Sequence, residues 1–119
     1  MKYKSDYSLD KEAIRILRSN EWGGYTLPTQ KLYPYQWNWD SMFISLGLAQ
    51  FDINRAWLEI ENLFNSQWEN GMAAHIIFRH KAPTYFPGPE VWGTNQDPPT
   101  SGCSQPPIAE IGRASCRER

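Results

Sequence analysis

Nine residues, Leu32-Tyr-Pro-Tyr-Gln-Trp-Asn-Trp-Asp40, place two tyrosines, two tryptophans and a carboxylate directly ahead of an apolar helical run. A helix N-terminus presents unpaired backbone N–H groups and a partial positive charge, so aromatic and amide groups delivered there can line a polar pocket. Packing offers a second reading, because Trp and Tyr beside Pro also cap helix bundles, and composition leaves the two open. The chemistry suited to such a pocket is recognition of a polyol. Sugars carry flat C–H faces that lie on aromatic rings and hydroxyls that pair with carboxylates and amides. Tyr33, Trp37, Trp39 and Tyr85 can supply the faces, and Gln36, Asp40 and Gln105 the hydrogen bonds. His75 is either a further contact or a buried imidazole satisfied by a backbone carbonyl. Trp57, Phe64 and Trp68, at helical spacing, read as packing. Glu59, Glu61 and Glu69 read as a solvated helix face.

Three helical patterns have to position these groups. Ser8 can N-cap a first helix in which Leu9, Ala13, Ile16 and Leu17 form a stripe and Arg18 stands near the end. A second runs from Ser41 to about Gln50 and is apolar nearly all round, as a helix buried on most sides would be. Its Gly47 costs about 1 kcal/mol of helix propensity, which implies a neighbouring helix close by. Asp52 caps a third, Ile53 to about Trp68, with Ala56, Ile60, Leu63, Phe64 and Gln67 on one face and Asn70-Gly71 closing it. The last two make an αα-hairpin, one helix inner and one outer. Beyond Gly71 the helical period is lost. Met72 to Phe78 reads as extended or a short strand, and Lys81 to Pro107, with seven of the nine prolines, is a loop of a length usually kept for function.

Composition narrows the classes. The 119 residues carry a net charge of −1 and 14% aromatics, so there is no basic footprint for nucleic acid. The longest apolar run, Met42 to Ala49, is far below the roughly 20 residues of a membrane span. Met1 to Asp6 lead into no apolar signal region. Cys103 and Cys116 have neither metal-ligand spacing nor a disulfide framework, so a reducing cytoplasm, with no cofactor or metal, is expected.

The motifs also resemble a known family. Tyr33-Pro-Tyr-Gln-Trp-Asn-Trp-Asp40, Gln67-Trp68 with Asn70-Gly71-Met72, His75-Ile76, Tyr85-Phe86-Pro87-Gly88-Pro89, and Thr100-Ser101-Gly102 with Gln105-Pro106-Pro107 are similar, in this order, to the N-terminal part of the catalytic domain of glycoside hydrolase family 63. The likeness is greatest to its mannosylglycerate hydrolase-like branch and runs from about Leu9 to Ala109. It implies an all-α chain, the first hairpins of an (α/α)6 barrel, with Tyr33, Trp37, Trp39, Asp40, His75, Tyr85 and Gln105 lining a small-carbohydrate site. It further implies hydrolysis of an α-linked glucosyl or mannosyl compound with inversion, by an acid and a base roughly 6.5 to 9.5 Å apart. In the family that pair comes from later hairpins, so no catalytic residue is expected in this chain and Asp40 is expected to position substrate.

Residues 1–110 are therefore expected to be the N-terminal portion of such a catalytic domain. Ile111-Gly-Arg-Ala-Ser-Cys-Arg-Glu-Arg119 reads as the in-frame translation of a common short-read sequencing adapter, a non-native tail. Two alternatives stand beside the hydrolase: a stand-alone aromatic-rich carbohydrate-binding module, which would need a closed core of its own, and a trehalase- or debranching-type glycosidase on the same barrel.

Overall fold

The computed structural model describes residues 7–117. Helix α1 spans Tyr7–Ser19. It starts one residue ahead of Ser8, so Ser8 sits in the first turn and the position that would cap the helix lies outside the described residues. A hairpin follows, β1 (Glu21–Trp22) against β2 (Tyr25–Thr26), turned by Gly23 and Gly24 at φ 63 and 100. Strand β3 (Gln36–Trp37) then runs straight into helix α2 (Asn38–Leu48). Helix α3 (Ile53–Phe64) returns antiparallel, β4 (Ile76–Ile77) pairs with β3, a single turn α4 (Pro89–Trp92) interrupts the long loop, and α5 (Ala109–Arg117) follows.

The all-α expectation is corrected by these pairings. The chain is mostly helical, yet two small antiparallel sheets and a bridge between Ile77 and Thr100 hold the irregular parts. Helix α2 starts three residues earlier than its apolar run, which puts Trp39 and Asp40 in its first turn rather than in the loop before it. Helix α3 stops at Phe64 rather than Trp68. Trp68 instead stands in a turn closed by Gly71 at φ 90, its indole donating to Thr100 Oγ1 at 3.0 Å.

The hairpin α2–α3 carries the main core: Met42, Leu48, Ala56, Ile60 and Leu63 are all buried and meet Ile77 of β4. Asp52 caps α3 as its sequence position implies, accepting from the Arg55 N–H at 3.0 Å, and its other oxygen takes Arg18 at 2.7 Å, which ties α1 to the hairpin. Apart from this, α1 is lightly held. None of its residues is fully buried, and Leu9 and Ile16 remain 67% and 46% exposed. Helix α5 lies on α2 and α3, with Gly112 close to Ser45 and Met42 and with Cys116 buried.

Gly47 does admit a neighbour. A Cβ built there would stand 3.3 Å from Leu17 Cδ1 of α1. That gap is short by only a few tenths of an ångström, and Leu17 is a half-buried side chain that can turn aside, while Ala in place of Gly gains about 1 kcal/mol of helix propensity. Gly47→Ala is therefore expected to raise the urea midpoint slightly, by less than about 1 kcal/mol of stability. Gly47→Leu is expected to lower it and release α1.

Candidate functional site

Three stretches of chain lie side by side and bring the candidate residues together. Strand β3 pairs with β4 so that Trp37 faces Ile76 in register. The pairing continues past the strand, with Asn38 N donating to His75 O at 3.0 Å and His75 N to Cys103 O at 2.8 Å. Ser101 N donates to Ile76 O at 3.1 Å and the Ser101 hydroxyl accepts from Ile76 N at 3.1 Å, so residues 99–103 form the third line. Gln105 then reaches across. Its Oε1 accepts the Trp39 N–H at 2.9 Å, one of the orphan donors of the first turn of α2. The N-terminal end of α2 is thus bounded by His75, Cys103 and Gln105.

The side chains divide into a wall and its support. Trp39 is 41% exposed and lies edge-on to Phe43, 53% exposed, at 5.9 Å between ring centres. Trp37, two residues earlier, is only 6% exposed. Tyr33 and Tyr85 each meet it edge to face at 5.4 Å, and Tyr35 lies 6.2 Å away. Tyr85 also packs edge-on to Tyr35 at 5.5 Å. Burial raises the Tyr85 phenol above its ordinary value, with Tyr33 and Tyr35 adding to it. A cleft of about 330 Å³ opens beside this cluster, lined by Tyr35, His80, Tyr85 and Glu90 among others and by none of Trp39, Asp40, His75 or Gln105. His75 meets Trp92 edge-on at 5.5 Å, its Nδ1 lies 3.2 Å from Cys103 Sγ, and burial holds its imidazole below the ordinary value, hence neutral at pH 7.

Gln36 is a correction. It is fully buried, and its amide is committed to Ser41 Oγ at 3.1 Å, Glu59 O at 3.3 Å and Arg79 Nε at 3.4 Å, leaving it nothing to offer a sugar. Alternation along β3 explains this: Gln36 and Trp37 point to opposite faces, and the Gln36 face is the core. Glu59 is a second correction. It is 0% exposed rather than solvated, and its carboxylate takes Ser41 Oγ at 2.6 Å, Arg55 Nη2 at 2.8 Å and Thr26 Oγ1 at 2.9 Å. Arg55 carries this charge outward to Glu21 at 3.0 Å. Asn38, Tyr35, Ser101 and Cys103 are further residues of the site that residue type alone did not single out. Asn38 locks the corner by donating from Nδ2 to Ala73 O at 3.1 Å.

Asp40 is half-buried in the first turn of α2, and burial raises its carboxyl above the ordinary 3.8, against the lowering effect of hydrogen bonds from its own backbone and from Trp39. A carboxyl raised in the folded chain contributes stability that is fully present below the unfolded pKa and lost as pH rises through the folded one. Asp40→Asn is accordingly expected to raise the melting temperature at pH 7, with the gain vanishing below about pH 3.8. Thermal unfolding at the two pH values checks it.

The hairpin and its loops superpose on a solved enzyme. A crystal structure of family 63 mannosylglycerate hydrolase from Thermus thermophilus, in complex with Tris and D-glycerate, matches with a TM-score of 0.88 and 45% identity over 93% of this chain and 26% of that one. The fold is therefore that of a segment of a glycoside hydrolase. The profile of the mannosylglycerate hydrolase MGH1-like glycoside hydrolase domain matches residues 33–116, and the chain belongs to that family. Among its relatives, mannosylglycerate hydrolase MGH1 of Selaginella moellendorffii is 55% identical over 102 residues, 84% of this chain and 21% of the relative. Glucosylglycerate hydrolase of Mycolicibacterium hassiacum is 39% identical over 110 residues, 87% of this chain and 25% of the relative. The chain thus spans about a fifth to a quarter of the length of these relatives.

Proposed function

We propose that the chain contributes one wall of the sugar pocket in a hydrolase of α-linked mannosyl- or glucosylglycerate, and that the carboxyl pair cleaving the bond belongs to other parts of the enzyme. The observation that carries this reading is the register of residues 36–40, 75–77 and 99–105. It gathers an exposed indole, a half-buried carboxylate, a neutral imidazole and an amide around one helix N-terminus. Trp39 offers a ring face to the sugar C–H surface, Asp40 accepts from hydroxyls, and His75 and the Nε2 of Gln105 complete the polar side. Tyr33 and Tyr85 hold Trp37 behind them. The apolar run of α2 from Met42 onward, with Phe43 still exposed, suits the inner helix of an (α/α)6 barrel, packed against further hairpins.

The relatives' names supply the substrate class, and both sugars fit a wall that reads C–H faces and hydroxyls without a charge-specific contact. Cys103 is a free thiol, in keeping with a cytoplasmic setting. Nothing in this reading draws on residues 111–119. We infer that they are translated adapter, and the coding nucleotides decide it: codons that depart from the adapter sequence rule it out. The functional test is a titration of the 119-residue chain with mannosylglycerate, followed through the indole resonances. Saturable shifts at Trp39, absent with an acyclic polyol such as mannitol, support a sugar wall. No shift at any concentration refutes it.

A further inference from the structure

One buried carboxylate grips the wall at both ends. The residues assigned to sugar recognition on α2, together with their support, occupy the four positions from Trp37 to Asp40, and the residues on either side, Gln36 and Ser41, are both 0% exposed and turn inward to Glu59. Ser41 Oγ donates to Glu59 Oε1 at 2.6 Å. Gln36 Nε2 reaches Ser41 Oγ at 3.1 Å, the Glu59 carbonyl at 3.3 Å and, at the limit of a hydrogen bond, Oε1 at 3.5 Å. The other oxygen, Oε2, is held by Arg55 Nη2 at 2.8 Å and Thr26 Oγ1 at 2.9 Å. A carboxylate offers about four lone-pair sites, and all four are taken here: two by the flanks of the wall and two by the scaffold.

We propose that Glu59 is the positioning residue of this wall, fixing where Trp39 and Asp40 stand by clamping Gln36 and Ser41 to the outer helix α3. The proposal rests on the sugar-wall reading for its purpose and on the hydrogen bonds alone for its geometry. A neutral amide at 59 could not accept on both sides, because one of its ends donates: with its oxygen toward Arg55 and Thr26, its NH2 would face the Gln36 Nε2, itself a donor. The turn from strand β3 into α2 has no side-chain cap of its own at Trp37. Its aim is therefore set by the flanking bonds to Glu59, by Asn38 and by the reach of Gln105.

Thr26 gives the control that separates aiming from mere stability. Ser41 and Thr26 each make one buried hydroxyl bond to the same carboxylate, on opposite oxygens, and only Ser41 adjoins the wall. Ser41→Ala and Thr26→Val are compared with the parent chain by indole NMR spectra, by urea unfolding and by titration with mannosylglycerate. Both are expected to lower the urea midpoint by similar amounts. Ser41→Ala alone is expected to displace the Trp37 and Trp39 indole signals and to weaken mannosylglycerate about fivefold, the scale of one lost hydrogen bond. Equal effects of the two variants on the signals, or unmoved signals in Ser41→Ala, overturn the clamp. Glu59→Gln takes from Arg55 its buried charge partner and is expected to fold poorly, so the decision rests on the milder pair. Should the parent chain bind no mannosylglycerate, the sugar reading fails, while the indole signals still decide the clamp.

Discussion

Glu59→Leu is expected to leave the chain largely unfolded, and adding Arg55→Leu is expected to recover much of the fold. The single change removes the buried one of the two carboxylates on Arg55 and leaves it only the more exposed Glu21 at 3.0 Å; Arg55 is 6% exposed and already has one buried nitrogen, Nη1, without a partner among the described residues. Removing one member of a buried ion pair costs about 3–5 kcal/mol because the other charge is left uncompensated. For a chain at the lower end of the roughly 5–15 kcal/mol of an ordinary domain, where a lightly held α1 places this one, that loss is most of what is available. Replacing both charges with apolar groups removes the stranded charge, and such swaps are commonly neutral or stabilising. Recovery is incomplete, because Thr26, Ser41 and Gln36 keep buried polar atoms whose acceptor has gone. Urea midpoints of the two variants, read by far-ultraviolet circular dichroism, check the expectation.

The two tryptophans of the wall are expected to part company when each is changed to Ala. Trp37 is 6% exposed and lies among Tyr33, Tyr35, Tyr85 and Ile76, so truncating it empties the middle of the buried cluster that it forms with Tyr35, Ile76 and Phe78. A buried aromatic cut to Ala costs about 3–5 kcal/mol. Trp39, 41% exposed and touching chiefly Phe43, fills no such space. Trp39→Ala is expected to unfold within about 0.5 kcal/mol of the parent, as surface changes do, and to weaken mannosylglycerate by up to roughly tenfold, since stacking on an aromatic ring is worth about 0.5–1.5 kcal/mol. Matched unfolding and binding curves separate them. A Trp39→Ala chain that binds as well as its parent would remove the exposed face from the site.

How much of this was legible in the sequence follows from what periodicity can and cannot carry. The apolar run after Asp40 and the stripe of Ala56, Ile60 and Leu63 gave the hairpin, and Asp52 gave its cap, because helix period and capping chemistry are local. The ordered motifs gave the family. The strands were missed or left open because each is two residues long, below any alternation a sequence can display, and β4 finds its partner only through a tertiary pairing. Glu59 was misplaced for a related reason. Arg55, Glu59 and Asn62 form their own i, i+4, i+7 row beside the apolar stripe, and a charged row at the edge of a stripe looks the same whether it meets water or a second layer. The i, i+4 spacing of Arg55 and Glu59 was the available signal, and it indicates pairing without depth. Gln36 shows the limit from the other side. Its company of Tyr33, Trp37 and Asp40 argued for the site, yet one step along a strand turns a side chain to the opposite face. Trp39 and Asp40 escaped that reversal because the helix starts at Asn38.

The central claim, a sugar-binding wall whose cleaving carboxyl groups belong elsewhere in the enzyme, is tested most directly by mixing the purified 119-residue chain with mannosylglycerate or glucosylglycerate and following both the Trp39 indole signal and the release of free sugar. The expected result is saturable displacement of the signal, abolished in Asp40→Ala, with no sugar released over hours. Release of mannose or glucose by the chain alone, lost in Asp40→Ala, would make Asp40 a catalytic group and contradict the claim.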